Sequence, residues 1–298
     1  MSHRLGSWTP PDDVDTAVAV RGVHAGYPGA PLVLDCVNLT VGAGRRLAIL
    51  GANGSGKTTL LRVLAGSHRP DEGSVVSGGA VLQHSRRGLT AHRQRVQLVM
   101  QDPDDQLFSA DVRSDVGYGP TNLGLPTDEV AARVDEALAV LSLGSLADRP
   151  VHHLSFGQRK RVAVAGALAM HPEVLLLDEP TAGLDPAGVQ EMLAALAALE
   201  AHGTTVVLST HDVDLAWRWA EEVALVVDRV VHQGEVSDAL TDTDLVRAAR
   251  LRPPWSVELL REMGVDPSGA GWPRTSAEVA AVLVVAPSQW PHDSRATR

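Results

Sequence analysis

The chain has 298 residues, 44% of them apolar, which is ordinary for a globular protein and enough for one large domain or two small ones. A net charge of −10 argues against a protein built to coat nucleic acid, and no nucleic-acid partner is expected. No apolar run approaches the roughly 20 residues that span a bilayer, so if the protein serves a membrane, another chain supplies the membrane part. The opening MSHRLGSWTPPDD lacks the apolar core of a secretion signal. The one cysteine, Cys36, has no internal disulfide partner, so a reducing compartment and a buried, inert thiol are expected.

Residues 1–15 read as a polar lead-in. Residues 17–41 alternate apolar and polar and are broken by Gly26, Pro28 and Gly29, the pattern of a short antiparallel hairpin. Tyr27 at its turn is either a surface turn aromatic or a ring on which a purine base stacks. Residues 46–50 read as a strand and 58–65 as a helix ended by Gly66. Between them runs GANGSGKTT, residues 51–59, a G-x-x-x-x-G-K-[ST] phosphate loop in the strand-to-helix context that gives the motif meaning. Glycines such as Gly51, Gly54 and Gly56 let backbone N–H groups wrap phosphates. Lys57 reaches the β and γ phosphates, and the Thr58 hydroxyl suits Mg²⁺. Only Lys57 and Lys160 among the 26 basic residues are lysine, and at Lys57 a compact ammonium fits where a guanidinium does not.

Residues 71–95 read as Gly- and Arg-rich connections with short strands, with Arg86, Arg87, Arg93 and Arg95 on a solvated face. Residues 96–100 form a further strand ending at Gln101, which is placed to reach the nucleotide's metal or water. In DPDDQLF, residues 102–108, turn chemistry explains Asp102, Asp104 and Asp105 better than a metal does. From residue 109 to 153 the pattern turns helical. Thr127 caps a segment with Val130, Val134, Leu138 and Leu141 on one face, so a small helical subdomain inserted into an α/β core is expected.

Residues 153–185, HLSFGQRKRVAVAGALAMHPEVLLLDEPTAGLD, hold two chemistries. Ser155 and Gln158 have capping-box spacing, so the helix beginning there aims its N–H groups and positive dipole end outward, toward an anion. Arg159, Lys160 and Arg161 either add positive charge near that tip or form a solvated helix face. Residues 174–177 read as a buried strand that delivers Asp178 and Glu179 at its C-terminal end, where open α/β sheets place their sites. Asp185 then Pro186 starts a helix with Met192, Leu193, Leu196 and Leu199 inward. Residues 204–208 form another buried strand, with His211 just past its end. Gln101, the Asp178-Glu179 pair and His211 thus follow three strand ends on one edge. The other histidines show no ligand spacing, and no zinc site is expected. Residues 223–236 read as a closing hairpin around Asp228-Arg229, residues 238–264 as helix broken at Pro253-Pro254, and 266–298 as a loosely ordered tail in which 279–286 is free to dock.

In order and spacing, GANGSGKTT, Gln101, LSFGQ, LLLDE, GLD and His211 resemble the motifs of ATP-binding cassette ATPases over roughly residues 17–240. QDPDDQLF, KRVAVAGALAM with PEVLLLDEPTAGLDP, and the aromatic Phe156 in LSFGQ are similar to the energy-coupling-factor importers, including their cobalt-transport subunit. The resemblance implies an α/β fold, a P-loop NTPase (RecA-like) core with an antiparallel β subdomain and an inserted helical signature subdomain at about 103–170. It implies a cassette over 16–240 after the 1–15 lead-in, a helical extension over 241–265 and the 266–298 tail. By the same resemblance Tyr27 stacks on adenine, and Gly51, Asn53, Gly54, Ser55, Gly56, Lys57, Thr58 and Thr59 bind ATP. Thr58, Gln101 and Asp178 hold Mg²⁺, and Glu179 polarises the attacking water beside His211 and Gln101. Leu154, Ser155, Phe156, Gly157 and Gln158 serve the ATP of a second cassette, a copy or a paralogue, and Asp185 couples the two sites. The implied setting is peripheral, at the cytoplasmic face of a membrane. The implied partners are a transmembrane subunit and a substrate-binding membrane subunit, with cobalt or nickel the first substrate and vitamins the second. A soluble cassette in DNA repair or translation fits less well, since neither coiled coils nor a second cassette is present. A regulatory module without turnover is disfavoured by intact Glu179 and His211.

Overall fold

The computed structural model describes residues 15–265 and 271–285. In chain order, β1 (Thr16–Gly26) and β2 (Leu32–Gly42) make the expected hairpin, closed where Ala30 N donates to Tyr27 O at 2.9 Å. β3 (Leu47–Leu50) leads through the phosphate loop into α1 (Lys57–Leu64). β4 (Glu72–Ser77), β5 (Ala80–Val81), α2 (Arg86–Arg95) and β6 (Val96–Val99) follow. Next come α3 (Val112–Asn122), α4 (Thr127–Val140), α5 (Phe156–Leu168) and β7 (Val174–Asp178). The chain continues through α6 (Pro186–Ala201), β8 (Thr205–Thr210), α7 (Val213–Trp219), β9 (Glu222–Val227) and β10 (Val230–Glu235). It closes with α8 (Val236–Thr241), α9 (Thr243–Ala248), α10 (Trp255–Glu262) and α11 (Ser276–Val285).

The strands build two sheets. One is antiparallel with order β2-β1-β4-β5, and the other has order β10-β9-β3-β8-β7-β6. In the second, β9, β3, β8, β7 and β6 run parallel and only the edge strand β10 is antiparallel. Parallel strands are covered on both faces, which is why they read as unbroken apolar runs rather than alternating ones. β7 shows the consequence. Val174 and Leu176 enter one core with β1, β2 and α1, whereas Leu175 and Leu177 enter the other with α3 to α7. The parallel sheet is therefore the shared wall between the antiparallel subdomain and the helical layer. All its parallel strands point the same way, so their C-terminal loops meet along one edge.

The helical subdomain begins where Asp111 caps α3 by accepting from Ser114 N, and α3 packs on α4 and α5. Thr127 does not cap α4: it is the first helical residue, Pro126 occupies the cap position, and no side chain bonds there. The stretch 71–95 holds a helix, α2, that its polar composition concealed; Ser85 caps it. Arg95 is not simply solvated, because it pairs with Glu173 at 2.6 Å. Cys36 is exposed rather than buried, in a left-handed turn of β2 (φ 53°) that rotates its side chain out of the strand's apolar face. Part of the expected loose tail is built in. Trp272 packs on the core, Pro273 O accepts from Trp217 Nε1 at 3.1 Å, and Val279 on α11 is buried. Ala286 and the residues after it lie outside the described residues.

Candidate active site

Four strand ends deliver the site. β3 delivers the phosphate loop, β6 Gln101, β7 Asp178 with Glu179, and β8 His211. The loop's turn depends on left-handed backbone at Gly54 (φ 78°) and Gly56 (φ 111°). A Cβ on Gly56 would also lie 2.9 Å from Val33 Cγ1, so β2 approaches the loop too closely for any side chain. Lys57 Nζ lies under the loop and donates to Gly51 O at 2.9 Å and to Ala52 O at 3.4 Å. It also stands 3.5 Å from a Glu179 carboxylate oxygen. Ser55 Oγ is buried with no hydrogen-bond partner among the described residues, a polar group left for something the loop encloses.

The carboxylates are held differently. Asp178 accepts from Thr58 Oγ1 at 2.7 Å on one oxygen and from Ser209 Oγ at 2.5 Å on the other. Glu179 takes left-handed backbone (φ 47°), a conformation that non-glycine residues hold only when their surroundings enforce it. Its N–H donates to Ser209 O at 3.2 Å and lies 3.1 Å from Ser209 Oγ. Its carboxylate is 3.0 Å from His211 Nδ1 and is almost wholly buried, whereas His211 is more than half exposed. Gln101, Lys57, Thr58, Asp178 and Glu179 line one cleft of about 410 Å³, with Asn53, Gly54, Gly56, Thr59 and Tyr27 on its walls and at its mouth. The Tyr27 ring is partly exposed, 5.0 Å from the His68 ring, with its hydroxyl 3.3 Å from Thr59 Oγ1.

The signature segment stands apart. Ser155 accepts from Gln158 N at 3.2 Å and Gln158 Oε1 accepts from Ser155 N at 3.0 Å, so the capping box at the tip of α5 closes. Leu154 is buried beneath it. Neither Ser155, Gly157 nor Gln158 lines the cleft of Lys57, although Phe156 borders an adjoining cleft with Thr58, Gln101 and Asp178. Asp185 caps α6, accepting from Gly188 N at 2.7 Å. Two residues escaped sequence reasoning. Ser209 joins Asp178 to Glu179, and its only signal was a small polar residue inside VVLST. Lys160 is buried rather than part of a solvated face, and burial pushes its ammonium down to about 8 against the raising pull of Glu179, Asp102 and Asp178.

A parallel sheet whose strand ends assemble a phosphate loop, a hydroxyl–carboxylate pair and a buried glutamate defines a P-loop nucleotide hydrolase. The family model described as ABC transporter matches residues 34–182. The cobalt import ATP-binding protein CbiO of Rhodobacter capsulatus is 50% identical over 89% of this chain and 96% of its own length. The energy-coupling factor transporter ATP-binding protein EcfA of Methanocaldococcus jannaschii is 40% identical over 90% and 96%. The structure of cbiO1 from Clostridium perfringens, part of the ABC transporter complex cbiONQ, superposes with a TM-score of 0.72 at 38% identity, covering 83% of this chain and 99% of that one. The chain belongs to the ABC transporter family as an ATP-hydrolysing subunit, and within it is similar to the energy-coupling-factor and cobalt-import ATP-binding proteins. No helix among the described residues is long and apolar enough to cross a membrane.

Proposed function

We propose that this subunit powers an energy-coupling-factor importer, hydrolysing Mg²⁺-ATP at the cleft of Lys57. The observation that carries the reading is the chain Thr58–Asp178–Ser209–Glu179–His211, continuous from the phosphate loop to the buried glutamate. Hydroxyl, carboxylate and amide oxygens at Thr58, Asp178 and Gln101 are the hard donors that Mg²⁺ prefers; they would hold the ion, which would supply charge neutralisation for the phosphates. Lys57 and the loop's N–H groups hold the phosphates, with Ser55 Oγ available to them. Glu179 orients and takes a proton from the attacking water, and His211, bonded to that carboxylate through Nδ1, holds it in place. Tyr27 at the cleft mouth stacks on the adenine.

Ser155 and Gly157 do not line the cleft of Lys57, which supports a different role for the α5 tip. It serves the nucleotide of a second cassette, a copy or a paralogue, with Asp185 coupling the two sites. Membrane subunits complete the importer, which places this chain at the cytoplasmic face. Cobalt or nickel is the first cargo, supported by the likeness to a cobalt import protein; vitamin uptake through a shared module is the second. Glu179→Gln is expected to bind ATP with wild-type affinity and to turn it over at least about 100-fold more slowly. Wild-type turnover in that variant would remove Glu179 as the base. Labelled cobalt entering cells equally well with wild type or Glu179→Gln would remove the metal reading.

A further inference from the structure

Lys160 is the chain's second lysine, and the hydrolytic cleft leaves it unused. It projects from the first turns of α5 into the loop that follows β7. Its Nζ donates to Glu179 O at 2.8 Å and to Pro180 O at 3.3 Å, and the residue is only 3% exposed. The third side of the ammonium faces the Phe156 ring, 5.3 Å from its centroid. The edge of that ring abuts Gly183, where a Cβ would come within 3.0 Å of it. Phe156, the aromatic in LSFGQ, therefore closes a lid over a buried charge that two carbonyls satisfy.

A buried ammonium is expensive, and a fold keeps one where its bonds do something that packing cannot. Here they clamp the peptide that carries Glu179. That residue's left-handed backbone is fixed from its amide side by Ser209 and from its carbonyl side by Lys160 and Ala182 N, the latter at 3.1 Å. We propose that Lys160 is a positioning residue for Glu179: by tying the α5 helix to the Glu179–Pro180 peptide, it holds the carboxylate between Lys57 and His211 and joins the α5 tip to the neighbouring cleft. This rests on the reading of Glu179 as the base. A shift of α5 when Ser155 and Gly157 engage a second cassette then moves the Glu179 peptide through Lys160, with no other element intervening.

The test compares full-chain wild type, Lys160→Met, which keeps the stem and removes the donors, and Lys160→Arg, which restores them. Lys160→Met is expected to lower kcat for ATP at least about tenfold while KM stays within about twofold. Lys160→Arg is expected to recover a large part of that loss. In a crystal structure of Lys160→Met, Glu179 is expected to leave its positive φ. Unchanged kcat, or a KM that rises in step with a fall in kcat, overturns the proposal, as does a variant structure in which Glu179 keeps φ near 47°. Should Lys160→Met not fold, Lys160→Leu, which also lacks donors, takes its place in both measurements with the same criteria. Absence of turnover in the wild type counts against ATP hydrolysis at this cleft, whereas the backbone of Glu179 in the variant crystal still decides the role of Lys160.

Discussion

Gly56 shows how much a single position can require. Its φ of 111° and the 2.9 Å approach of Val33 Cγ1 both forbid a Cβ. Gly56→Ala is expected to lose ATP binding and to lower stability by about 1–3 kcal/mol, measured by nucleotide titration and by denaturant unfolding. Wild-type affinity in that variant would show that the loop tolerates a side chain against β2. Residues of this kind are legible in a sequence because the phosphate loop is a local structure whose spacing is set by its own closure. Ser209 and Lys160 are not, for the opposite reason. Each acts on a peptide 30 or 19 residues away, and nothing in VVLST or QRKRV marks the far partner. Cys36 was misread at this scale too: β2 has the apolar pattern of a buried strand, but a left-handed residue within it turns the thiol outward.

At the scale of elements, α5 is a rod with different work at its two levels. Its tip is closed by a reciprocal cap and is proposed to face an anion held by a second cassette, while one turn on, Lys160 bonds the Glu179 carbonyl. Adding Ser155→Arg to Glu179→Gln is therefore expected to abolish ATP-induced dimerisation without changing ATP affinity, as read by sedimentation in ATP without Mg²⁺. A dimer that persists in the double variant would end the reading of α5 as the lid on a second cassette's nucleotide. α2 is the element that pattern reading passed over. RRGLTAHRQR has no apolar stripe, so its helix rests on the Ser85 cap and on His92, whose Nε2 lies 2.7 Å from Leu64 O at the end of α1. Thr127 is the smaller case: a good capping residue set one position inside the helix because Pro126 had already taken the extended position.

For the whole molecule, the acid side of the stability curve follows from imidazoles that the fold buries wholly, as at His92, or in part, as at His84 and His232. Burial pushes His92 below the ordinary 6.5, partly offset by its bond to Leu64 O, and it lowers His232 and His84 as well. With the folded pKa below the unfolded one, the unfolded chain binds more protons below about 6.5, so stability is lost as pH falls through that value. The urea midpoint is expected to drop from about pH 7 to about pH 5.5, and His92→Gln to flatten part of that drop. A midpoint independent of pH in that window would show that these imidazoles titrate alike in both states. Glu222, pushed up by burial despite its bonds to Gln233 and Arg45, works in the opposite sense in the carboxylate range.

The sequence by itself determined the motifs, their order, the family they resemble and which strands are buried. These follow from local rules: loop closure around phosphate, helix capping, and the unbroken apolar runs that parallel strands need on both faces. Only the tertiary structure decided what meets at the strand ends. Sheet order places β3 beside β8 and β8 beside β7, and that adjacency brings Thr58 to Asp178, Ser209 to the Asp178 carboxylate and the Glu179 backbone N–H, and Lys57 and His211 to Glu179. The tertiary structure also decided that Lys160 is inside, since a lysine five residues from a helix cap reads as solvated until a carbonyl-lined loop is packed against it. In the same way Pro273 and Trp272 left the expected loose tail: Pro273 O accepts from both Trp217 Nε1, more than 50 residues earlier, and Ser256 Oγ, and Trp272 packs on the core.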